Sequence, residues 1–199
     1  MYDEGSCAMT DPVALEPLRP DDAAAIAAAC DLLTAAFGPG GYSHERVRAF
    51  ASDPATNVAC AWSNGELIGL AIARVAVDLQ RAFGAFGDAA IDKLARGKVG
   101  VLESGTVASS FRGRGIARVA SGYLLQWLRD QGCTLAVAAS WNSGTGQTSR
   151  PVLERLGFRA IAESDSEVYR LTNLGGRPCP VCGAPCRCSG TLYVLDLAA

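Results

Sequence analysis

The hydrophobic and polar positions change their period along the chain, and each change marks a predicted element. Apolar residues repeat at spacings of three and four between 116 and 131, which predicts an amphipathic helix with one buried face. Shorter apolar runs predict strands, and capping residues predict further helices. The predicted strands cover 13–18, 57–62, 67–77, 99–107, 135–140, 158–161, 167–171 and 191–197, and the predicted helices cover 23–37, 44–51, 88–96, 116–131 and 150–156.

Turn residues indicate how these elements connect. Asn64-Gly65 lies between two apolar runs and predicts a β-hairpin, because both residues tolerate positive φ. Strands and helices then alternate through the middle of the chain, and further strands follow. This order predicts an α+β (α/β) domain with a mixed central sheet flanked by helices.

Composition narrows the class of protein. The chain has 199 residues, a net charge of −2 and 49% hydrophobic residues, which fits one folded domain and disfavours general disorder. This charge offers no strongly basic surface, so a nucleic-acid partner is not expected. The sequence shows no apolar run of about 20 residues and no signal-peptide pattern, which predicts a cytoplasmic protein without a membrane partner. We expect a flexible leader over 1–12 and a single domain over 13–199.

A cysteine motif stands near the end of the chain, and it contains Cys179, Cys182, Cys186 and Cys188. Four thiolates in the pattern C-x2-C-x3-C-x-C can complete the tetrahedral shell of a structural Zn²⁺. Disulfides, a redox-active C-x-x-C pair and an iron–sulfur cluster are the alternatives, and a cytosolic location disfavours disulfides. The motif predicts a zinc-stabilised insertion at 175–190 between the last two strands.

The segment after the 99–107 strand indicates a phosphate-binding turn. It reads Arg112-Gly113-Arg114-Gly115-Ile116-Ala117 and leads into the predicted helix. Glycine lets the backbone approach a ligand, the first N–H groups of a helix lack internal partners, and arginine adds charge-assisted bonds. A solvated turn is the alternative. The turn lacks the third glycine of a Rossmann dinucleotide site, and it lacks the G-K-[ST] of a P-loop.

The same residues resemble the R/Q-x-x-G-x-G/A signature of the GNAT superfamily of acyl-CoA-dependent N-acyltransferases. Residues 18–22 are similar to the first strand-to-helix junction of that family, and 154–158 to a late helix-to-strand element. The resemblance extends over about 13–171 and implies the GNAT fold. It also implies that the strand at 99–107 diverges from the strand at 135–140.

The resemblance further implies an acyl-CoA donor, and acetyl-CoA is the first choice. The pyrophosphate would bind the backbone N–H groups of Gly113, Arg114, Gly115, Ile116 and Ala117, with the Arg112 and Arg114 side chains beside it. The pantetheine arm would follow the 99–107 strand. Backbone amides at Thr106, Val107 and Ala108 would polarise the thioester carbonyl, and Asn142 is assigned to the same cofactor site.

Proton transfer requires a base, because only a neutral amine attacks the thioester. Glu103 is the candidate, since it stands four residues before Val107 on the same strand and so shares a face with Gly105 and Val107. An exposed strand glutamate or an ion pair with arginine is the alternative. The family's usual acid is a tyrosine, but Leu153 occupies that position. Tyr169, Ser140, Thr148 or water could protonate the departing thiolate instead.

These features predict an N-acyltransferase that works by direct attack in a ternary complex on a small-molecule or peptide amine. A carrier-protein or aminoacyl-tRNA donor is one alternative, and a non-catalytic acyl-CoA-binding or interaction module is another. The zinc knuckle would brace a hairpin that shapes the acceptor site. The sequence leaves open whether the protein forms a homodimer.

Overall fold

A computed structural model describes residues 13–75, 77–144, 148–164, 179–183 and 186–198. Within them the chain forms a seven-stranded sheet of order β1-β2-β3-β4-β5-β7-β6. The strands are β1 Ala14–Pro17, β2 Thr56–Ser63, β3 Glu66–Arg74, β4 Val99–Val107, β5 Leu135–Asn142, β6 Arg159–Ser164 and β7 Ser189–Asp196. The helices are α1 Ala23–Phe37, α2 His44–Ser52, α3 Leu79–Phe83, α4 Asp88–Leu94, α5 Ile116–Asp130 and α6 Arg150–Arg155, with short 3-10 turns at Gly84–Phe86 and Ser109–Phe111.

The sheet is mixed, as predicted. Strands β1 to β4 are antiparallel neighbours, β4 and β5 are parallel, and β7 pairs antiparallel with both β5 and β6. The predicted α+β class is therefore confirmed, and the knuckle cysteines lie between β6 and β7.

Helices cover both faces of the sheet, and each face has its own apolar core. On the α5 face, Leu124 and Leu128 pack against small strand residues such as Ala136. A Cβ on Gly100 would lie only 2.4 Å from a methyl carbon of Leu128, so α5 can approach β4 this closely only over a glycine. On the α1 face, α1 and α2 pack against β2 and β3, and α4 packs against β4, β5 and β7.

Local signals in the sequence determine several boundaries. The Asp22 carboxylate accepts from the amide of Ala25 at 2.9 Å and begins α1, and Ser43 caps α2 through the amide of Arg46. Asn64 and Gly65 adopt φ of 49° and 78°, as the predicted hairpin requires.

Three departures from the predicted elements have packing causes. Residues 79–86 form α3 and a 3-10 turn, because Phe83 and Phe86 bury their rings in the core of the α1 face. β5 continues two residues past 140, since Trp141 and Asn142 pair with β7. The predicted strand at 167–171 lies outside the described residues. Among the described helices none is long and apolar enough to span a bilayer.

Candidate active site

A gap opens in the middle of the sheet where β4 and β5 diverge. Their parallel pairing covers Val99–Leu102 against Leu135–Ala138. β4 then continues to Val107 and β5 to Asn142, with no further pairing between them among the described residues. The edge of β4 that faces this gap keeps backbone groups available for a ligand. The divergence expected from the family resemblance is therefore present.

A β-bulge at Glu103 marks the start of the gap. Ile72 pairs with Ser104 and Ala73 pairs with Leu102, so Glu103 is the extra residue of β4. The expectation that Glu103 shares a face with Gly105 and Val107 is wrong, because the bulge shifts the alternation. Glu103 and Ser104 both direct their side chains to the α1 face, whereas Val107 packs beside Ile116 of α5.

The amides of β4 divide between β3 and the gap. The N–H of Ala108 donates to the carbonyl of Ile68 at 2.9 Å, so it is unavailable for the thioester role expected of it. Because amide directions alternate along a strand, the N–H of Thr106 also points to β3, and that of Val107 points into the gap. Of the three expected donors, Val107 alone presents its amide there.

Two arginines hold Glu103, and we call Arg46, Glu103 and Arg74 the Arg–Glu–Arg cluster. Arg74 Nη1 donates to Glu103 Oε2 at 3.0 Å, and Arg46 Nη2 lies 3.8 Å from Oε1. Arg46 lies over the rings of Tyr42 and Phe50, with centroid distances of 5.0 and 5.4 Å. The ion-pair alternative for Glu103 is thus the observed arrangement.

Sequence reasoning missed Arg46, Arg74 and Tyr42 as site residues. They come from α2, β3 and the α1–α2 loop, and the Tyr42 hydroxyl shares a hydrogen bond with Ser104 Oγ. One signal was present: Arg74 interrupts an apolar run, and a cation in a mostly buried strand requires a partner.

The glycine-arginine turn adopts a backbone that suits an anion. Gly113 and Gly115 have φ of 78° and 82°, and apart from the adjacent residues no described atom lies within 4 Å of where a Cβ on either would stand. Gly115 precedes α5 without a side-chain cap, so the first amides of the helix stay open. Arg112 Nε donates to Val107 O and an Arg114 Nη donates to Ser110 O, each at 3.1 Å, which holds both guanidinium groups beside the turn.

Two hydroxyl groups meet at the end of β5, on the α5 face of the sheet. The Ser140 and Thr148 hydroxyls lie 2.8 Å apart, and Ser140 is fully buried. Asn142 Nδ2 donates to Thr191 Oγ1 at 2.9 Å, so this amide group links β5 to β7. Leu153 is buried in the core under α5. Tyr169 lies outside the described residues.

The four knuckle cysteines converge on one point, with all Sγ atoms within 4.8 Å of one another. Three of the Sγ pairs are 3.6 Å apart, close to the spacing of about 3.8 Å that tetrahedral Zn–S bonds of 2.3 Å produce. The amide of Arg187 donates to Cys182 Sγ at 3.3 Å and lowers the pKa of that thiol to about 7. Burial raises the pKa of Cys188, which disfavours a thiolate there without a cation.

The surroundings of the cysteines also fit a bound cation. Trp141 packs against the cluster, and its buried Nε1–H has no close acceptor among the described residues, although Cys188 stands beside it. A thiolate that ligates a metal would accept this N–H. A donor set of four sulfurs is typical of structural zinc.

The knuckle contacts the loop that carries Tyr42. A Cβ built on Gly38, whose φ is 79°, would lie 2.9 Å from the Pro180 side chain. Pro180 therefore packs directly on the turn that ends α1, while Trp141 joins the knuckle to β5. This contact places the knuckle on the α1 face, the same side of the sheet as the Arg–Glu–Arg cluster.

Solved structures share this fold at low sequence identity. The ribosomal-protein-S18-alanine N-acetyltransferase from Escherichia coli has a TM-score of 0.63 and 14% identity, covering 94% of both chains. The aminoglycoside 6'-N-acetyltransferase from Enterococcus faecium has a TM-score of 0.62 and 14% identity, covering 92% of this chain and 97% of that one. The NatC complex bound to Gag peptide and CoA has a TM-score of 0.64 and 15% identity, covering 92% and 98%. These likenesses show the fold alone.

A family comparison identifies the chain more directly. No curated protein sequence matches it. The sequence model of the Acetyltransferase (GNAT) family matches residues 26–158, which is more than half of the chain and contains both the gap and the glycine-arginine turn. This protein therefore belongs to the GNAT family of acetyltransferases.

Proposed function

We propose that this protein transfers an acetyl group from acetyl-CoA to an amine, by direct attack of the amine in a ternary complex. The observation that carries the proposal is the gap beside β4, a strand that ends at Val107, shortly before the open turn at Gly113–Gly115. Among the described residues, no side chain near the gap is activated as a nucleophile, which favours a ternary complex over a covalent acyl-enzyme.

The donor would bind across the turn and the gap. Its pyrophosphate would accept from the amides of 113–117, with Arg112 and Arg114 adding charge. Its pantetheine arm would fill the gap and bond to the free edge of β4 as an added strand does. The Val107 amide would then donate to the thioester carbonyl as negative charge develops on its oxygen.

Glu103 would accept the proton of the attacking amine, directly or through one water. Its carboxylate stands at the start of the gap, and two arginines keep it in place. A carboxylate has about four lone-pair positions, so acceptor capacity remains after these ion pairs. The departing thiolate would take its proton from the Thr148 hydroxyl, which also bonds to the buried hydroxyl of Ser140.

Thr148→Val should test this last step, because it removes the hydroxyl while keeping the shape. We expect kcat to fall about tenfold, the lower range for general acids, since a CoA thiol is a good leaving group. The neighbouring Ser149→Ala is the control. Because Thr148 Oγ1 also accepts from the amide of Arg150 at 3.2 Å, the two melting temperatures must agree before the kcat values are compared. Equal kcat values for the two variants would show that another group protonates the thiolate, and Tyr169 or water would then be the candidate.

The first experiment is a native mass spectrum with and without acetyl-CoA, followed by chromatographic measurement of CoA release over an amine panel. One acetyl-CoA per chain and amine-dependent CoA release are the expected results. Binding without release over the panel would favour a non-catalytic module. A folded protein that ignores acetyl-CoA would contradict the proposed donor and favour a carrier-protein arm.

The four cysteines would hold one structural Zn²⁺ as thiolates. When bound, the ion cross-links the segment between β6 and β7 and supplies folding free energy. Through Pro180 on Gly38 it would also fix the α1–α2 loop, so the knuckle would shape the acceptor side without entering the chemistry.

A further inference from the structure

We propose that the acceptor is a free amino acid, an amine with a carboxylate on the adjacent carbon. Arg46 and Arg74 would bind the carboxylate, and Glu103 would meet the amino group. This inference rests on the proposed acetyl transfer and names the substrate class of the same site.

The charge of the Arg–Glu–Arg cluster is the first argument. Two guanidinium groups surround one carboxylate, which leaves a formal charge of +1. The rings of Tyr42 and Phe50, which the arginines contact, are neutral, and among the described residues the Asp53 carboxylate also interacts with Arg74 at longer range. A simple cationic amine gains less from such a site than a zwitterion does. A zwitterion presents a charge of each sign to a site that also contains both.

Unused donors in the cluster are the second argument. Arg46 donates from Nη1 to the carbonyl of Gly41 at 2.8 Å, but its contact with Glu103 is longer, at 3.8 Å. Its side chain is 51% exposed, so part of the guanidinium is accessible. Arg74 donates from Nη1, while its buried Nε lacks a partner among the described residues. Because guanidinium has five donors in a rigid fork, this arrangement suits a carboxylate.

The guanidinium planes are held in place before any ligand arrives. Arg46 lies over the rings of Tyr42 and Phe50, and the Arg74 guanidinium carbon lies 5.6 Å from the centroid of the same Phe50 ring. Arginine on an aromatic ring loses less side-chain freedom on binding than a free one. Such preorganisation favours a small rigid anion.

The cluster and the proposed thioester site lie on the same strand. Glu103 is the first residue of β4 beyond its pairing with β5, so the cluster stands at the opening of the gap. Val107 lies four residues farther along β4, about 13 Å away at about 3.3 Å per residue. This span suits a small acceptor, and a free amino acid has both charged groups on one carbon.

The test compares each of the common L-amino acids with its own α-amide as acceptor. We expect kcat/KM for at least one amino acid to exceed that of its amide by about 30-fold, the scale of a charge-assisted bidentate contact. The intrinsic reactivity of the two substrates favours the amide, because an α-amide lowers the pKa of the amine and so supplies more neutral nucleophile at pH 7.

The matched variants are Arg46→Gln and Arg48→Gln on the same helix. Arg48 is exposed and donates to the carbonyl of Pro20, away from Glu103. In Arg46→Gln, the ratio of kcat/KM for the amino acid to kcat/KM for its amide should fall close to one, because KM for the amino acid rises. In Arg48→Gln the ratio should keep its value. Arg46→Lys should give an intermediate ratio, which guards against a folding defect in the glutamine variant.

Two outcomes would overturn the proposal. One is acetyl transfer that prefers amides or carboxylate-free amines, and the other is an acid preference that survives Arg46→Gln. Failure of the underlying function is separate, since it would appear as no CoA release with any amine in either half of the panel.

Discussion

Cys188→Ser is expected to release the proposed zinc ion and to lower the melting temperature by about 10 °C, because zinc binding contributes folding free energy. Cys188 is 1% exposed and stands at the centre of the knuckle, with its Sγ 3.6 Å from those of Cys179 and Cys182. The loss would also loosen Pro180 from Gly38. We therefore expect KM for the amine to rise while the dissociation constant of acetyl-CoA changes little.

Cys133→Ser is the matched control for this substitution. Cys133 is also buried, at 6% exposure, and lies in the α5-face core away from the knuckle. Cys133→Ser makes the same sulfur-to-oxygen change, so it should lower the free energy of unfolding by about 1 kcal/mol and leave the zinc content intact. Metal analysis, thermal unfolding and acceptor kinetics on both variants complete the test. Full zinc content and an unchanged melting temperature in Cys188→Ser would refute the site.

The second large effect is expected at the glycine-arginine turn. Gly115→Ala should raise the dissociation constant of acetyl-CoA by about 10- to 100-fold, because the new methyl group occupies the open space that the pyrophosphate needs. The left-handed backbone at φ of 82° adds a strain of about 1 kcal/mol, which must be separated from this effect.

Gly132→Ala, at the other end of α5, measures the backbone strain without the effect on the phosphate site. Gly132 has φ of 73° and, like Gly115, no described atom other than those of adjacent residues within 4 Å of the position of an added Cβ. Both variants should therefore lose similar stability in thermal unfolding. Calorimetric titration with acetyl-CoA should distinguish them, and equal affinities would show that Gly115 does not border the phosphates.

The fold could be predicted closely wherever local signals decide the structure. The bounds of β4 and α1 match the predicted 99–107 and 23–37, since β4 begins and ends at valines, and a capping aspartate with a terminal glycine bounds α1. α3 was missed because its short helix depends on the burial of Phe83, which is a tertiary effect.

The site could be predicted only in part, for a related reason. The turn at 112–117 is continuous in sequence, and so is the cysteine motif. The Arg–Glu–Arg cluster joins α2, β3 and β4, so a linear pattern does not reveal it. The bulge at Glu103 is equally hidden, because it depends on the register of β4 against β3 and reverses the expected face of one side chain.

The place of β7 in the sheet also has a consequence for synthesis on the ribosome. β7 follows β6 in sequence but lies between β5 and β6, and β6 joins the described sheet through it. Until Ser189–Asp196 has been translated, β5 therefore presents an unpaired edge, which is a hazard for aggregation. The four knuckle cysteines lie in the segment that joins β6 to β7, so the proposed zinc ion would shorten the length of free chain across which β7 must find its place beside β5 and β6.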